Sequence, residues 1–160
     1  MENHPLGLQD DLNRDNVGHL PLREPVFVTP ETSVRRTVEV MQSERMGCIL
    51  VCRDGELVGI FTERDLMRRV LARRADPESP VEQYMTPRPA VIARSDPIAH
   101  AVRVMSEGHY RHLPVVDDRG RPVGIASAKH IVAYLVDYYP SAVYNLPPQP
   151  GQVQEAREGA

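Results

Sequence analysis

Hydrophobic and polar positions along this chain fall into a pattern that occurs twice. In the first occurrence a short apolar run, Val26 to Val28, reads as a strand and leads to a helix start at Thr32. Apolar residues then recur at helical spacing at Val34, Val38 and Met41. The runs Cys48 to Cys52 and Leu57 to Phe61 flank the turn Arg53-Asp54-Gly55-Glu56, where the Asp-Gly step suits a tight hairpin. A closing helix is predicted with Leu66, Val70 and Arg73 on related positions.

The same order returns when Pro25 is laid on Pro89, so that Val38 falls on Val102 and Met41 on Met105. After one inserted loop residue, Gly59 falls on Gly124. In this copy Ala90 to Ala93 is the first strand, and Asp96 followed by Pro97 reads as an N-cap with proline at the first helical position. Ile98, Val102 and Met105 line the helix. His112 to Val116 and Pro122 to Ala126 form the hairpin around Asp117 to Arg121, and Ile131, Leu135 and Tyr138 mark the closing helix. Between the copies, Ser79-Pro80-Val81-Glu82 has the form of a capping box opening a short helix that ends near Met85. Each copy is thus strand, helix, strand, strand, helix, an α+β class, with the first expected over 15–76 and the second over 77–140. Residues 1–14 are polar and unpatterned, and 141–160 are rich in proline, glycine and charge, so both are expected to be flexible or extended tails.

Composition narrows the picture. With 41% hydrophobic but only 5% aromatic residues and no tryptophan in 160 residues, the core must be aliphatic. No stretch approaches the roughly 18 apolar residues of a membrane span. The acidic start differs from a signal peptide, so a cytoplasmic location is expected. The net charge of -3 argues against nonspecific nucleic-acid binding, which needs clustered positive charge. Cys48 and Cys52 share one face of a predicted strand, about 13 Å apart at roughly 3.3 Å per residue. That separation excludes a disulfide. They read as small buried hydrophobes, with a redox pair or metal site as the alternative.

The duplicated unit, with GIFTERDL after its second hairpin strand and MTPRP opening the second copy, resembles a tandem pair of cystathionine beta-synthase (CBS) domains of the stand-alone bacterial type. The resemblance covers about residues 16 to 140. It implies two copies packed sheet to sheet about a pseudo-twofold axis, with two clefts able to hold adenosyl ligands such as AMP, ADP, ATP or S-adenosylmethionine. It implies further that Thr62 and Asp65, following Gly59, hold a ligand ribose, the carboxylate accepting from both hydroxyls. Thr62-Glu63-Arg64-Asp65 also has the form of a helix-capping box, a role compatible with ribose binding. By the same resemblance Arg111, His112 and Lys129 from the partner copy would meet the phosphates, and Ile60, Ala90 and Val91 would flank the adenine. Solvated surface cations are the alternative reading of the three basic residues.

The second cleft departs from that pattern. The carboxylate position is His130, and the positions matching Arg111 and His112 are Gly47 and Cys48, so this cleft is expected to be weak or empty. Arg68, Arg69, Arg73 and Arg74 read as a solvated basic helix face. His109 and His112 fall on opposite faces of an extended strand, which disfavours a metal site. No P-loop, nucleophile elbow or HExxH motif occurs. The expectation is therefore a non-catalytic regulatory module that needs no obligatory cofactor, binds an adenine nucleotide and acts on an unknown protein partner, as a homodimer. A ligand-free interaction module or an S-adenosylmethionine sensor is the alternative.

Overall fold

A computed structural model describes residues 7–139; the expectations for residues 1–6, for residue 140 and for the C-terminal tail 141–160 lie outside the described residues. The chain opens with α1 (Leu8–Arg14), followed by a 3-10 turn over Val17–His19. The first copy comprises β1 (Phe27–Val28), α2 (Val34–Ser43), β2 (Cys48–Arg53), β3 (Glu56–Thr62) and α3, which is α-wound over Glu63–Asp65 and π-wound over Leu66–Leu71. A second 3-10 turn, Val81–Gln83, and β4 (Thr86–Pro87) lead to β5 (Ile92–Ala93), α4 (Ile98–Gly108), β6 (His112–Val116), β7 (Pro122–Ser127) and α5 (Ala128–Tyr138).

One sheet has the order β1-β2-β3-β4 and the other β5-β6-β7. Within each copy the first strand runs parallel to the second, and the next two form an antiparallel hairpin. The first hairpin turns through Asp54 and Gly55 at φ 51° and 82°, the left-handed pair that the Asp-Gly step favours. Strand β2 is buried on both faces, which explains its unbroken apolar run. Ile49 and Val51 pack with Phe61, Val34 and Met41 under the helices of the first copy. Cys48, Leu50 and Cys52 point the other way and meet Ile60 and Ile125 of β7, so the two sheets face each other across this layer.

The segments that precede the two copies are exchanged between them. Val81 lies in the core of the first copy, where its amide donates to Thr32 O at 2.8 Å and Val34 N donates to Ser79 O at 3.0 Å. Val17 occupies the equivalent place in the second copy, with Val17 N donating to Asp96 O at 2.8 Å and Ile98 N to Asp15 O at 2.9 Å. Residues 15–20 therefore belong physically to the second copy although they precede the first in sequence. Each core is incomplete without the segment it receives.

Several local expectations are corrected. Residues 8–14 are helical rather than a tail: α1 packs on α4, Leu12 contacts the second core, and Asp11 is 1% exposed. The Asp11 carboxylate accepts from the Tyr139 hydroxyl and pairs with Arg14 at 2.7 Å, while Tyr134 donates to Asp15 at 2.6 Å. A single packed leucine and a buried carboxylate leave no readable periodicity. Helix α2 is capped by Ser33, which accepts from Arg36 N, because the Thr32 hydroxyl pairs with Thr29. Asp96 does not cap α4: its carboxylate reaches back to Ala93 N at 2.8 Å, and Pro97 stands at the N-cap. Ser79 forms no capping box either, and the helix expected there is the 3-10 turn alone.

Val17 and Val81 are both 0% exposed and occupy equivalent sockets. Val17→Ala and Val81→Ala should therefore each cost about 2–3 kcal/mol, the transfer and cavity loss of two buried methyl groups. Urea unfolding followed by far-ultraviolet circular dichroism would measure both. Removal of residues 1–14 should likewise lower the midpoint, through the lost Asp11–Tyr139 bond and the packing of Leu12. An unchanged midpoint would show that α1 contributes nothing.

Candidate ligand-binding clefts

Two of the cavities between the copies are each organised by the first turn of a closing helix. In the first copy Thr62 ends β3 and caps α3: its hydroxyl accepts from Asp65 N at 3.3 Å. The Asp65 carboxylate returns the bond, with Oδ2 accepting from both the amide and the hydroxyl of Thr62 at 3.0 Å. In the second copy Ser127 and His130 build the same box. The Ser127 hydroxyl accepts from His130 N, and His130 Nδ1 accepts from Ser127 N at 3.1 Å. Sequence order thus gives two matching cradles, one closed by a carboxylate and the other by an imidazole.

The first cavity, of about 580 Å³, brings together Ile60, Thr62, Asp65, Ala90, Arg111 and His112, six of the eight residues expected at one site. Val91 does not line it. Extended geometry turns alternate residues to opposite sides; Ile92 enters the core and Val91 is 42% exposed. Lys129 is also displaced: it projects from the first turn of α5 beside Ser127 and His130, and lines the second cavity.

Several lining residues escaped the sequence reading. Arg64, Arg68, Arg69 and Arg88 stand in the first cavity with Arg111, against the carboxylates Glu63 and Asp65. Arg68 and Arg69 were expected on a solvated face with Arg73 and Arg74, which are exposed. Arg69 instead donates to Tyr84 O at 3.2 Å and Met85 O at 2.7 Å, and its Nε lies 3.5 Å from Asp65 Oδ1. Asp65 is an i,i+4 neighbour on the same helix, but only the packing of the inter-copy segment against α3 supplies the two carbonyls. Tyr110, an exposed aromatic, completes the rim.

The second cavity, of about 880 Å³, is not devoid of charge as Gly47 and Cys48 had suggested. Arg23, Arg45, Arg111 and Lys129 line it, from positions outside the aligned pair. It still lacks a carboxylate at the cradle, and the one acceptor of the neutral His130 ring is already taken by Ser127 N. Gly47, Glu63, Arg111 and His112 line both cavities and form a shared wall.

Burial depresses the pKa of His112 below the usual imidazole value; the Glu63 carboxylate opposes the shift, and His130, Lys129 and Arg111 reinforce it. Burial, helped by Arg23, depresses His130 likewise. Burial, with a contribution from Glu63, pushes the Cys48 thiol up to about 12, so it stays protonated at neutral pH.

The comparisons follow the same division of the chain. The sequence profile of the CBS domain matches residues 17–72 and 81–137, each match opening on one of the equivalent 3-10 turns. The fold and its paired clefts define a tandem CBS-domain pair, and the chain belongs to the CBS-domain family. It is 36% identical over 109 residues to the meiotically up-regulated gene 70 protein of Schizosaccharomyces pombe, covering 68% of this chain and 15% of that relative. The crystal structure of the CBS domain NE2398 superposes with a TM-score of 0.70 at 29% identity, covering 76% of this chain and 98% of the other. The structure of CBSX2 in complex with AMP gives 0.66 at 27% identity, covering 76% and 96%. CBS-domain pairs are generally regulatory. Among the described residues no helix is long and apolar enough to cross a membrane.

Depressed histidine pKa values make stability pH-dependent with a definite sign. The unfolded chain binds protons near the ordinary value of 6.5, before the folded state does, so the stability contributed by neutral His112 and His130 is complete above that value. It is lost as the pH falls through their lower folded values. Asp15, held below the usual carboxylate value of 3.8 chiefly by the Tyr134 hydroxyl, acts in a separate, more acidic window. Urea midpoints should therefore decline on acidification from about pH 7.5 to about pH 5, and His130→Asn, which keeps an acceptor for Ser127 N, should make the decline shallower.

Proposed function

We propose that this protein is a non-catalytic regulatory module that binds an adenine nucleotide, AMP, ADP or ATP, in the first cleft. The observation that carries the reading is the Asp65 cradle facing a wall of arginines. An ionised carboxylate keeps lone pairs for two ribose hydroxyls after accepting from Thr62. Arg111, Arg64 and Arg88 offer the forked donors that phosphates require. Ile60, Ala90 and Tyr110 provide apolar and aromatic surface for the base. The AMP complex of CBSX2 supports the same assignment by likeness.

Occupancy of the cleft would report cellular energy state to a protein partner in the cytoplasm. The pair acts as a homodimer through its helix faces, where Met67, Leu71 and Val132 expose apolar side chains. S-adenosylmethionine is a poorer fit, since its sulfonium adds positive charge to a wall that already carries Arg64, Arg88 and Arg111.

Calorimetric titration tests the assignment. Asp65→Ala should weaken AMP binding about ten- to a hundredfold, the worth of roughly 1.5 to 3 kcal/mol for hydrogen bonds to a charged acceptor. His130→Ala should leave affinity for AMP within about twofold, because its ring accepts from Ser127 rather than from a ligand. Tighter binding of S-adenosylmethionine than of any nucleotide, or a larger loss from His130→Ala than from Asp65→Ala, would sink the assignment.

A further inference from the structure

Arg69 joins the inter-copy segment to the cradle carboxylate of its own helix. One guanidinium nitrogen is anchored on the carbonyls of Tyr84 and Met85, at 3.2 and 2.7 Å, in the segment that leads into β4 and the Ala90 wall of the cleft. Its Nε faces Asp65 Oδ1 at 3.5 Å, while Asp65 Oδ2 is engaged by Thr62. The carboxylate is thereby hydrogen-bonded along one edge and faced by a guanidinium at ion-pair distance along the other, which restrains the rotation of its plane and leaves lone pairs of Oδ1 open.

The other cradle provides an internal comparison. With Thr62 matching Ser127 and Asp65 matching His130, Arg69 falls on Tyr134 of α5. Tyr134 ties the helix to the exchanged segment, as Arg69 does, but through a neutral hydroxyl directed to Asp15. A cation on this tether therefore occurs in the copy that has the carboxylate, and a neutral group occurs in the copy that has the imidazole. Anchoring the helix to the exchanged segment does not by itself require a charge. The guanidinium thus has a second task, directed at Asp65.

We propose that Arg69 is a positioning residue for the ribose acceptor: anchored on the Tyr84 and Met85 carbonyls, it holds the Asp65 carboxylate turned toward a vicinal diol and so sets the preference for ribose. The proposal rests on the reading of Asp65 given above. A carboxylate free to rotate presents its lone pairs to both hydroxyls only part of the time, and the loss falls on ligands that have those hydroxyls. Ligands without them lose nothing.

The test compares AMP with 2′,3′-dideoxy-AMP by calorimetric titration of the full chain and its Asp65→Ala, Arg69→Gln and Arg69→Lys variants. The wild type should prefer AMP by about tenfold or more, and Asp65→Ala should abolish the preference. Arg69→Gln should weaken AMP about five- to tenfold and leave dideoxy-AMP within about twofold, with Arg69→Lys intermediate. The ratio is read within one protein, so a merely destabilising substitution, which weakens both ligands alike, does not imitate the effect. Equal weakening of both ligands, or an unchanged preference in Arg69→Gln, overturns the proposal. If Arg69→Gln does not fold, an unchanged preference in Arg69→Lys overturns it. A wild type without preference, or a preference that survives Asp65→Ala, overturns the ribose reading itself and the inference with it. Loss of preference in Asp65→Ala but not in the Arg69 variants removes the inference alone.

Discussion

The exchange of lead segments is the constraint on which the rest of this structure depends. Val17 fills the core of the second copy and Val81 that of the first, each delivering backbone hydrogen bonds to the strand–helix turn of the copy that receives it. A βαββα unit of this size has a small core, and a bare socket at its helix start would leave both apolar surface and backbone donors unmet. Because each copy supplies what the other lacks, neither is complete alone. The crossing segments also continue into the cleft walls: the Val81 segment runs on through Tyr84 and Met85 to β4, which pairs with Gly59 and Ile60. Gly59 leaves room for the Met85 side chain, which would have to move to accommodate a Cβ there.

The same symmetry builds two cradles of equal geometry and unequal chemistry. A hydroxyl at the strand end and an acceptor three residues later make a reciprocal cap in both copies. In the first, the acceptor is a carboxylate with lone pairs to spare beyond the cap. In the second it is a neutral imidazole whose only acceptor nitrogen the cap consumes. The fold is therefore indifferent to which residue closes the cap, while ligand chemistry is not. Burial reinforces the difference by keeping the His130 and His112 rings neutral over a wider range of pH.

The shared wall of Gly47, Glu63, Arg111 and His112 places the charges of one cleft within reach of the other. Gly47 lies between Glu63 and His112, and a Cβ there would sit in ordinary contact with both, 3.4 Å from each. Sequence alignment of the copies pairs Gly47 with Arg111 and so suggested a cleft without cations. Arg23 and Arg45 supply them from the lead segment and from the end of α2, where Arg23 also donates to the carbonyls of Glu44 and Arg45.

What the sequence determined by itself was set by short-range physics. The hairpin at Asp54-Gly55, the helical spacing of Val34, Val38 and Met41, and the duplication are legible because backbone torsion and amphipathic period act over a few residues. Family resemblance added the grouping of Thr62 and Asp65 with Arg111 and His112. The tertiary structure alone decided that Asp96 bonds back to Ala93 rather than capping α4, that Lys129 faces the second cleft, and that Arg69 turns from a helix surface to the Tyr84 and Met85 carbonyls. It also decided that Leu8–Arg14 is a packed helix. Arg69 and Asp11 find their partners in distant segments, while Asp96 chooses between two partners within its own turn. A polar side chain has several satisfactory partners within local reach, and periodicity does not select among them.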